Sequence, residues 1–406
     1  MLPRPSLSFT LPSIYDSAKL DCRVYHPPSL CDPSHPGVPW SGHAAVVAHP
    51  YAPLGGCFDD PIVDVTAGTL LQLGFLVATF NFRGAASSEG RTSWTSKPEQ
   101  ADYISVVGFL AYYVHHLHPP PATCYTSRHQ LPTMLLAGYS YGAMVTTRLP
   151  PLDTILAYFA TPAVHTAEAD IRLRAEHLAE AQNLKPVGPT SPRRSLGVRF
   201  GGDEDSSRRS HDRGNPISEC QREEGIQESV RSLLSRAKLV YRKSPRWSCQ
   251  REVDNKMHHC LEKVGGDVAF QSAYLAVSPP FGLITRLATM SFPGPWSSSW
   301  MRRSSPVTDD TPLASSPTLV IYGDQDGFIS YSGIREWARQ LSDADTSQFH
   351  HVEVAGAGHF WTESDVVHRL RDVIGTFATK LTCHGITSAP APQITQDLLG
   401  VSGQAQ

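Results

Sequence analysis

Three short apolar runs alternate with segments of helical spacing, and this alternation constrains the fold more than any other feature. The runs are HAAVVAHP (43–50), FLVATFNF (75–82) and TMLLAGYS (133–140). A strand that is apolar at successive positions needs cover on both faces, as strands in parallel sheets have. Between the first two runs, Ile62, Val63, Leu70, Leu71 and Leu73 recur at helical spacing over 60–74. Over 99–117, Tyr103, Val106, Val107, Leu110, Tyr113, Val114 and Leu117 recur every three or four residues, and prolines 119–121 close that helix. Two strand-like pieces, LSFTL and LDCRVYH, precede these units. The expectation is an α/β fold with a mostly parallel central sheet and helices on both faces.

The alternation fails after residue 164. Residues 185–264 contain few apolar side chains and roughly half of the chain's 35 lysines and arginines, interleaved with acids. Such a composition buries too little surface to offset chain entropy. The expected organisation is an N-terminal part of the α/β domain over 1–164, a charged, partly disordered insertion over 165–268, a C-terminal part over 269–382, and a disordered tail over 383–406. Alternation resumes with AYLAVSPP, TLVIYGDQD, YSGIREWARQL, FHHVEVAGAGHF and a last helix over 364–380. TILAYFATPA, before the insertion, is also strand-like, so two segments compete for the sixth strand.

A formal net charge of −3 gives no global attraction to nucleic acid or to an anionic membrane surface. The longest apolar stretch, LLQLGFLVATF, is too short to cross a bilayer. The start, MLPRPSLSFTLPS, lacks the uninterrupted apolar core of a signal peptide. These observations predict a cytoplasmic protein without nucleic-acid or membrane partners. The eight cysteines are scattered without CxxC pairs, which fits reduced thiols.

GYSYG, residues 138–142, follows an apolar strand and precedes the helix-compatible AMVTTRL. A serine in a tight strand-to-helix turn has its backbone crowded by the residues two before and two after, so both need to be glycine or similarly small. The turn lifts Oγ out at the carboxyl end of the sheet. Such a nucleophile, Ser140, needs a base and an acid that orients the base, following in the order serine, acid, histidine on loops after later strands. TLVIYGDQDGF supplies Asp324 and Asp326 after one strand, and VEVAGAGHFW supplies His359 after the next.

With these residues the chain resembles the α/β-hydrolase superfamily, and within it a dienelactone-hydrolase-like branch of serine hydrolases. AHPYAPLGG, FNFRGAASSEG, AGYSYGA, VSPP, YGDQDGF and AGAGHFW carry the resemblance, over about 43–375 apart from the insertion. It implies the α/β-hydrolase fold, with Ser140 as nucleophile, His359 as base and Asp326 as acid. Asp324 would be a turn residue, and the N–H groups of Tyr51 and Tyr141 would bind the oxyanion. His49 would hold the oxyanion loop by hydrogen bonding, and Arg83 would pair structurally. Ala86 departs from the branch, which usually has a glycine two residues after RG. Lids in the superfamily more often enter after the sixth strand than at the position of this insertion.

The function expected is a serine hydrolase acting on the ester, thioester or related acyl bond of a small molecule. The alternative class is a non-catalytic scaffold that keeps the motifs and acts through its insertion. No P-loop and no GxGxxG after a strand is present, so no cofactor is implied. The histidines at 115–118, 258–259 and 350–351 lack metal-ligand spacing, so no metal is expected. In the insertion, Ser195, Ser210 and Ser244 follow basic pairs and suit a basophilic kinase.

Overall fold

The computed structural model describes residues 1–31, 40–93, 95–117, 131–184, 260–280, 312–344 and 346–383. Eight strands form one sheet: β1 (Leu7–Pro12), β2 (Lys19–Tyr25), β3 (Ala44–Ala48), β4 (Leu76–Phe80), β5 (Thr133–Tyr139), β6 (Gln271–Val277), β7 (Thr318–Gly323) and β8 (Phe349–Val354). Their spatial order is β1-β2-β4-β3-β5-β6-β7-β8. β2 runs antiparallel to β1 and β4, and every pair from β4 onward is parallel. With the turn described below after β5, this is the α/β-hydrolase fold that the sequence predicts.

The helices are α1 (Pro28–Cys31), α2 (Pro61–Gln72), α3 (Lys97–His116), α4 (Tyr141–Thr146), α5 (Leu152–Ala160), α6 (Ala167–Asn183), α7 (Pro312–Ser315), α8 (Tyr331–Ser342) and α9 (Ser364–Cys383). Because side chains alternate across a strand, β3 sends Ala44, Val46 and Ala48 into one core and Ala45 and Val47 into the other. The first core is closed by α3, α5, α6 and α8, and the second by α2 and α9. On α9, Val366, Leu370 and Ile374 recur every four residues and are buried. Each contributes about 1.5–3 kcal/mol relative to exposure. Asp60 starts α2 by accepting from the N–H groups of Ile62 and Val63.

Two expectations change. TILAYFATPA is not a strand: it forms most of α5, with Leu152, Ile155, Leu156 and Phe159 buried at helical spacing, and the sixth strand is β6. The expected insertion also opens too early, because α6 lies within 165–268. Ile171, Ala175, Leu178 and Ala179 of α6 are part of the first core, and Thr166 caps the helix by accepting from Ala169 N–H. The remaining insertion residues 185–259, with Ser195, Ser210 and Ser244, and the tail from 384 lie outside the described residues.

The described residues on either side of 185–259 both meet the last turn of α3. Asn183 Nδ2 donates to His116 O at 2.9 Å, and His115 Nε2 donates to Gly265 O at 3.1 Å. Arg172 of α6 donates to Ala160 O at 2.8 Å and also to Glu262 O, tying the returning chain to the end of α5. No described helix is long and apolar enough to cross a membrane.

Candidate active site

β5 ends at Tyr139, and Ser140 follows with φ 53° and ψ −116° before α4 begins at Tyr141. A positive φ on a residue with a Cβ is strained, and the flanking glycines make the turn possible. A Cβ on Gly138 would come 2.4 Å from the Gly142 carbonyl carbon, and one on Gly142 would come 2.6 Å from the carbonyl oxygens of Ala48 and His49. The GYSYG spacing is therefore a steric requirement of strand, turn and helix crossing at close range.

Ser140 Oγ lies 2.8 Å from His359 Nε2, and His359 Nδ1 lies 2.8 Å from Asp326 Oδ2. A carboxylate only accepts, so Nδ1 carries the imidazole proton and Nε2 accepts from the serine hydroxyl. The other oxygen of Asp326 accepts from Phe328 N–H at 2.9 Å, which fixes the carboxylate plane. All three residues are buried. Tyr139 donates its hydroxyl to His359 O at 2.8 Å, tying the histidine loop to the strand that presents Ser140. Phe328 packs over the imidazole at 4.7 Å between centroids, and Phe360, 61% exposed, meets its edge at 5.4 Å.

Of the two acids after β7, Asp326 reaches the histidine. Asp324 accepts from Gly356 N–H at 2.7 Å and is exposed, a turn contact between the β7 and β8 loops. Tyr51 follows β3 in extended conformation and opens a 3-10 turn over Ala52–Leu54. Its N–H and that of Tyr141 have no acceptor among the described residues. Tyr51 follows β3 and Tyr141 opens α4 directly after Ser140, and β3 and β5 pair directly.

His49 is fully buried behind the Tyr51 loop. Its Nδ1 donates to Pro50 O at 2.6 Å and its Nε2 accepts from Phe82 N–H at 2.8 Å, so one neutral ring clamps the loops after β3 and β4. Burial, only partly offset by the Pro50 hydrogen bond, lowers its pKa to about 4. Between about pH 6.5 and 4 the unfolded chain binds a proton that the folded chain refuses, so this residue makes stability fall as pH falls through that window. The loss is on the order of 3 kcal/mol, complete below pH 4. In urea titrations at stepped pH, His49→Gln should show a shallower acid slope than the wild type, and parallel slopes would refute the assignment.

Arg83 is structural, as expected. Its guanidinium, 5% exposed, meets Asp102 at 2.7 and 3.0 Å, Asp16 at 2.9 Å and Ser13 Oγ at 3.1 Å. Asp102 also accepts from Arg83 N–H at 3.1 Å. Ala86, where the resemblance predicts glycine, has φ 44°, so the loop keeps the left-handed turn with an alanine in it. The sequence reading missed Asp102, Asp16 and the buried Glu99, which accepts from the N–H and hydroxyl of Ser93. Their partners are distant in sequence or of a residue type without local signal. Among the described residues, no group of three or more His, Cys, Asp or Glu side chains is arranged to hold a metal ion.

No family model and no curated protein matches the chain. Solved structures do. An α/β serine hydrolase homologue from Coxiella burnetii is 15% identical, covering 93% of this chain and 99% of that one at a TM-score of 0.43. An α/β serine hydrolase without lid from Xanthomonas campestris is 17% identical over 94% and 96%, at 0.44. An esterase from Pyrococcus furiosus is 12% identical over 92% and 89%, at 0.42.

Proposed function

We propose that this chain, an α/β-hydrolase by fold, is a serine hydrolase that cleaves an ester, thioester or related acyl bond of a small molecule through an acyl-enzyme. The observation that supports this most strongly is the unbroken path from Ser140 Oγ through His359 to Asp326, with both contacts at 2.8 Å. Ser140 Oγ attacks the carbonyl carbon as its proton passes to His359 Nε2, and Asp326 stabilises the imidazolium through Nδ1–H. The carbonyl oxygen becomes an oxyanion facing the N–H groups of Tyr51 and Tyr141. The carbon–oxygen or carbon–sulfur bond to the leaving group then breaks, and Nε2–H donates its proton to the departing atom. Water repeats the sequence: His359 takes its proton, the hydroxide attacks the acyl-enzyme, and Ser140 regains its proton as the acid departs.

The test is labelling of the purified chain by a fluorophosphonate, which reacts only with an activated serine. Wild type should label within minutes. His359→Ala and Asp326→Asn should slow labelling by at least a hundredfold, whereas Asp324→Asn should stay within about threefold of wild type. A folded wild type that takes no label defeats the proposal, and equal losses at Asp324 and Asp326 defeat the assignment of the acid.

A further inference from the structure

The hydroxyl of Tyr141 is buried, the residue being 3% exposed, and it has no hydrogen-bond partner among the described residues. A buried hydroxyl left unpaired costs about 1–3 kcal/mol. A phenylalanine would fill the same ring site without that cost, so the oxygen does nothing for packing.

Its position relates it to the reacting atoms. The Tyr141 ring packs 5.2 Å from the Tyr51 ring and 5.9 Å from Phe82, centroid to centroid. Those residues follow β3 and β4, on one side of β5, whereas Asp326 and His359 reach Ser140 from β7 and β8 on the other. The phenol therefore lies on the side of the two candidate oxyanion donors. An ester bound with its carbonyl oxygen at those donors would bring the start of its acyl chain to the same side.

Charge narrows the ligand. Burial first, and then the carboxylate of Glu99, raise the Tyr141 phenol, so it stays protonated and can donate. The same carboxylate raises Tyr51 after burial. Glu99 is fully buried and already accepts from both polar groups of Ser93. Arg148, hydrogen-bonded to Ser96 Oγ at 3.4 Å, acts more weakly on Tyr141 than Glu99 does. An anionic acyl group would approach a buried carboxylate, whereas a neutral oxygen acceptor would not be repelled.

We propose that the Tyr141 hydroxyl is a specificity-determining donor for a neutral oxygen acceptor in the acyl group, so that esters of oxo acids are preferred over alkyl esters of the same length. The inference rests on the hydrolase reading above. It is tested with the p-nitrophenyl esters of 4-oxopentanoate, pentanoate and hemisuccinate, on wild type and Tyr141→Phe, with fluorophosphonate labelling alongside. Wild type should prefer 4-oxopentanoate to pentanoate by about tenfold in kcat/KM, a ratio equivalent to about 1.4 kcal/mol, and hemisuccinate should be the slowest. In Tyr141→Phe the oxo preference should shrink to within about twofold, while Tm is equal to wild type or higher.

An oxo preference that survives in Tyr141→Phe overturns the inference. So does a lower Tm in that variant, which would make the hydroxyl a structural hydrogen-bonding group. A wild type that labels but hydrolyses the two neutral esters equally, or not at all, overturns this inference alone. A wild type that does not label overturns it together with the hydrolase reading.

Discussion

Ser140→Ala is expected to lower ester turnover by about 10⁵- to 10⁶-fold in kcat, with the protein still folded. A loss of 10⁶ corresponds to about 8 kcal/mol of transition-state stabilisation, nearly all of what nucleophile, base and acid supply as a unit. Among the described residues Ser140 Oγ makes one hydrogen bond, to His359 Nε2, and alanine occupies the same φ of 53° at the same strain. Thermal unfolding should therefore move by only a few degrees. Because the three groups act together, adding His359→Ala to Ser140→Ala should cost almost nothing further. Initial rates on a p-nitrophenyl ester and a thermal melt on the same preparations decide the matter. If Ser140→Ala keeps more than about 1% of wild-type turnover, Ser140 is not the nucleophile.

Asp102→Ala is expected to destabilise the fold by about 3–5 kcal/mol, the cost of leaving a buried charge without its partner. Measured against a typical total of about 5–15 kcal/mol, this is among the largest losses one side chain can cause. Asp102 has no exposed side-chain surface and takes hydrogen bonds from Arg83 Nε, Nη2 and backbone N–H. Asp16, on the other side of the guanidinium, is 44% exposed, so water replaces it and Asp16→Ala should cost about 1 kcal/mol or less. Replacing both partners, Arg83→Met with Asp102→Leu, should recover much of the loss, because no charge remains buried. Urea unfolding at pH 7 reads these differences as shifts in midpoint at constant slope. Equal midpoints for Asp102→Ala and Asp16→Ala would show that burial does not govern this network.

The parts of the molecule legible in the sequence are those set by short-range rules. Strands apolar at every position and GYSYG at a strand end follow from local sterics and strand periodicity, whereas the order of serine, acid and histidine is that of the fold the chain resembles; the structure brings Ser140 and Asp326 each within hydrogen-bonding distance of His359. The choice between Asp324 and Asp326 was not local. It depends on where the loop after β8 comes to rest, and only the resemblance separated the two. TILAYFATPA misled because Ile155, Tyr158 and Phe159 favour strands, while Leu152, Ile155, Leu156 and Phe159 form a helical stripe equally well; packing of that stripe in the first core decided it. α6 was hidden by its exposed charges, since a helix at the surface needs only a narrow apolar edge and here much of that edge is alanine. The Arg83 network had no local signature, because its partners lie 19, 67 and 70 residues away in the chain.

The meeting of Asn183 and Gly265 on the last turn of α3 has a bearing on how this chain can change. The segment between begins and ends at one spot on the surface of the domain. Closing a flexible connection grows costlier only with the logarithm of its length, by about 0.6 kcal/mol for each doubling. These two anchor points are a place where, by that relation, connecting length could be gained, lost or exchanged over generations at little closure cost to the sheet, the Ser140 turn and the histidine loop. A lineage, or an engineer grafting a foreign module, would find in it a permissive docking bay on an otherwise closely constrained body.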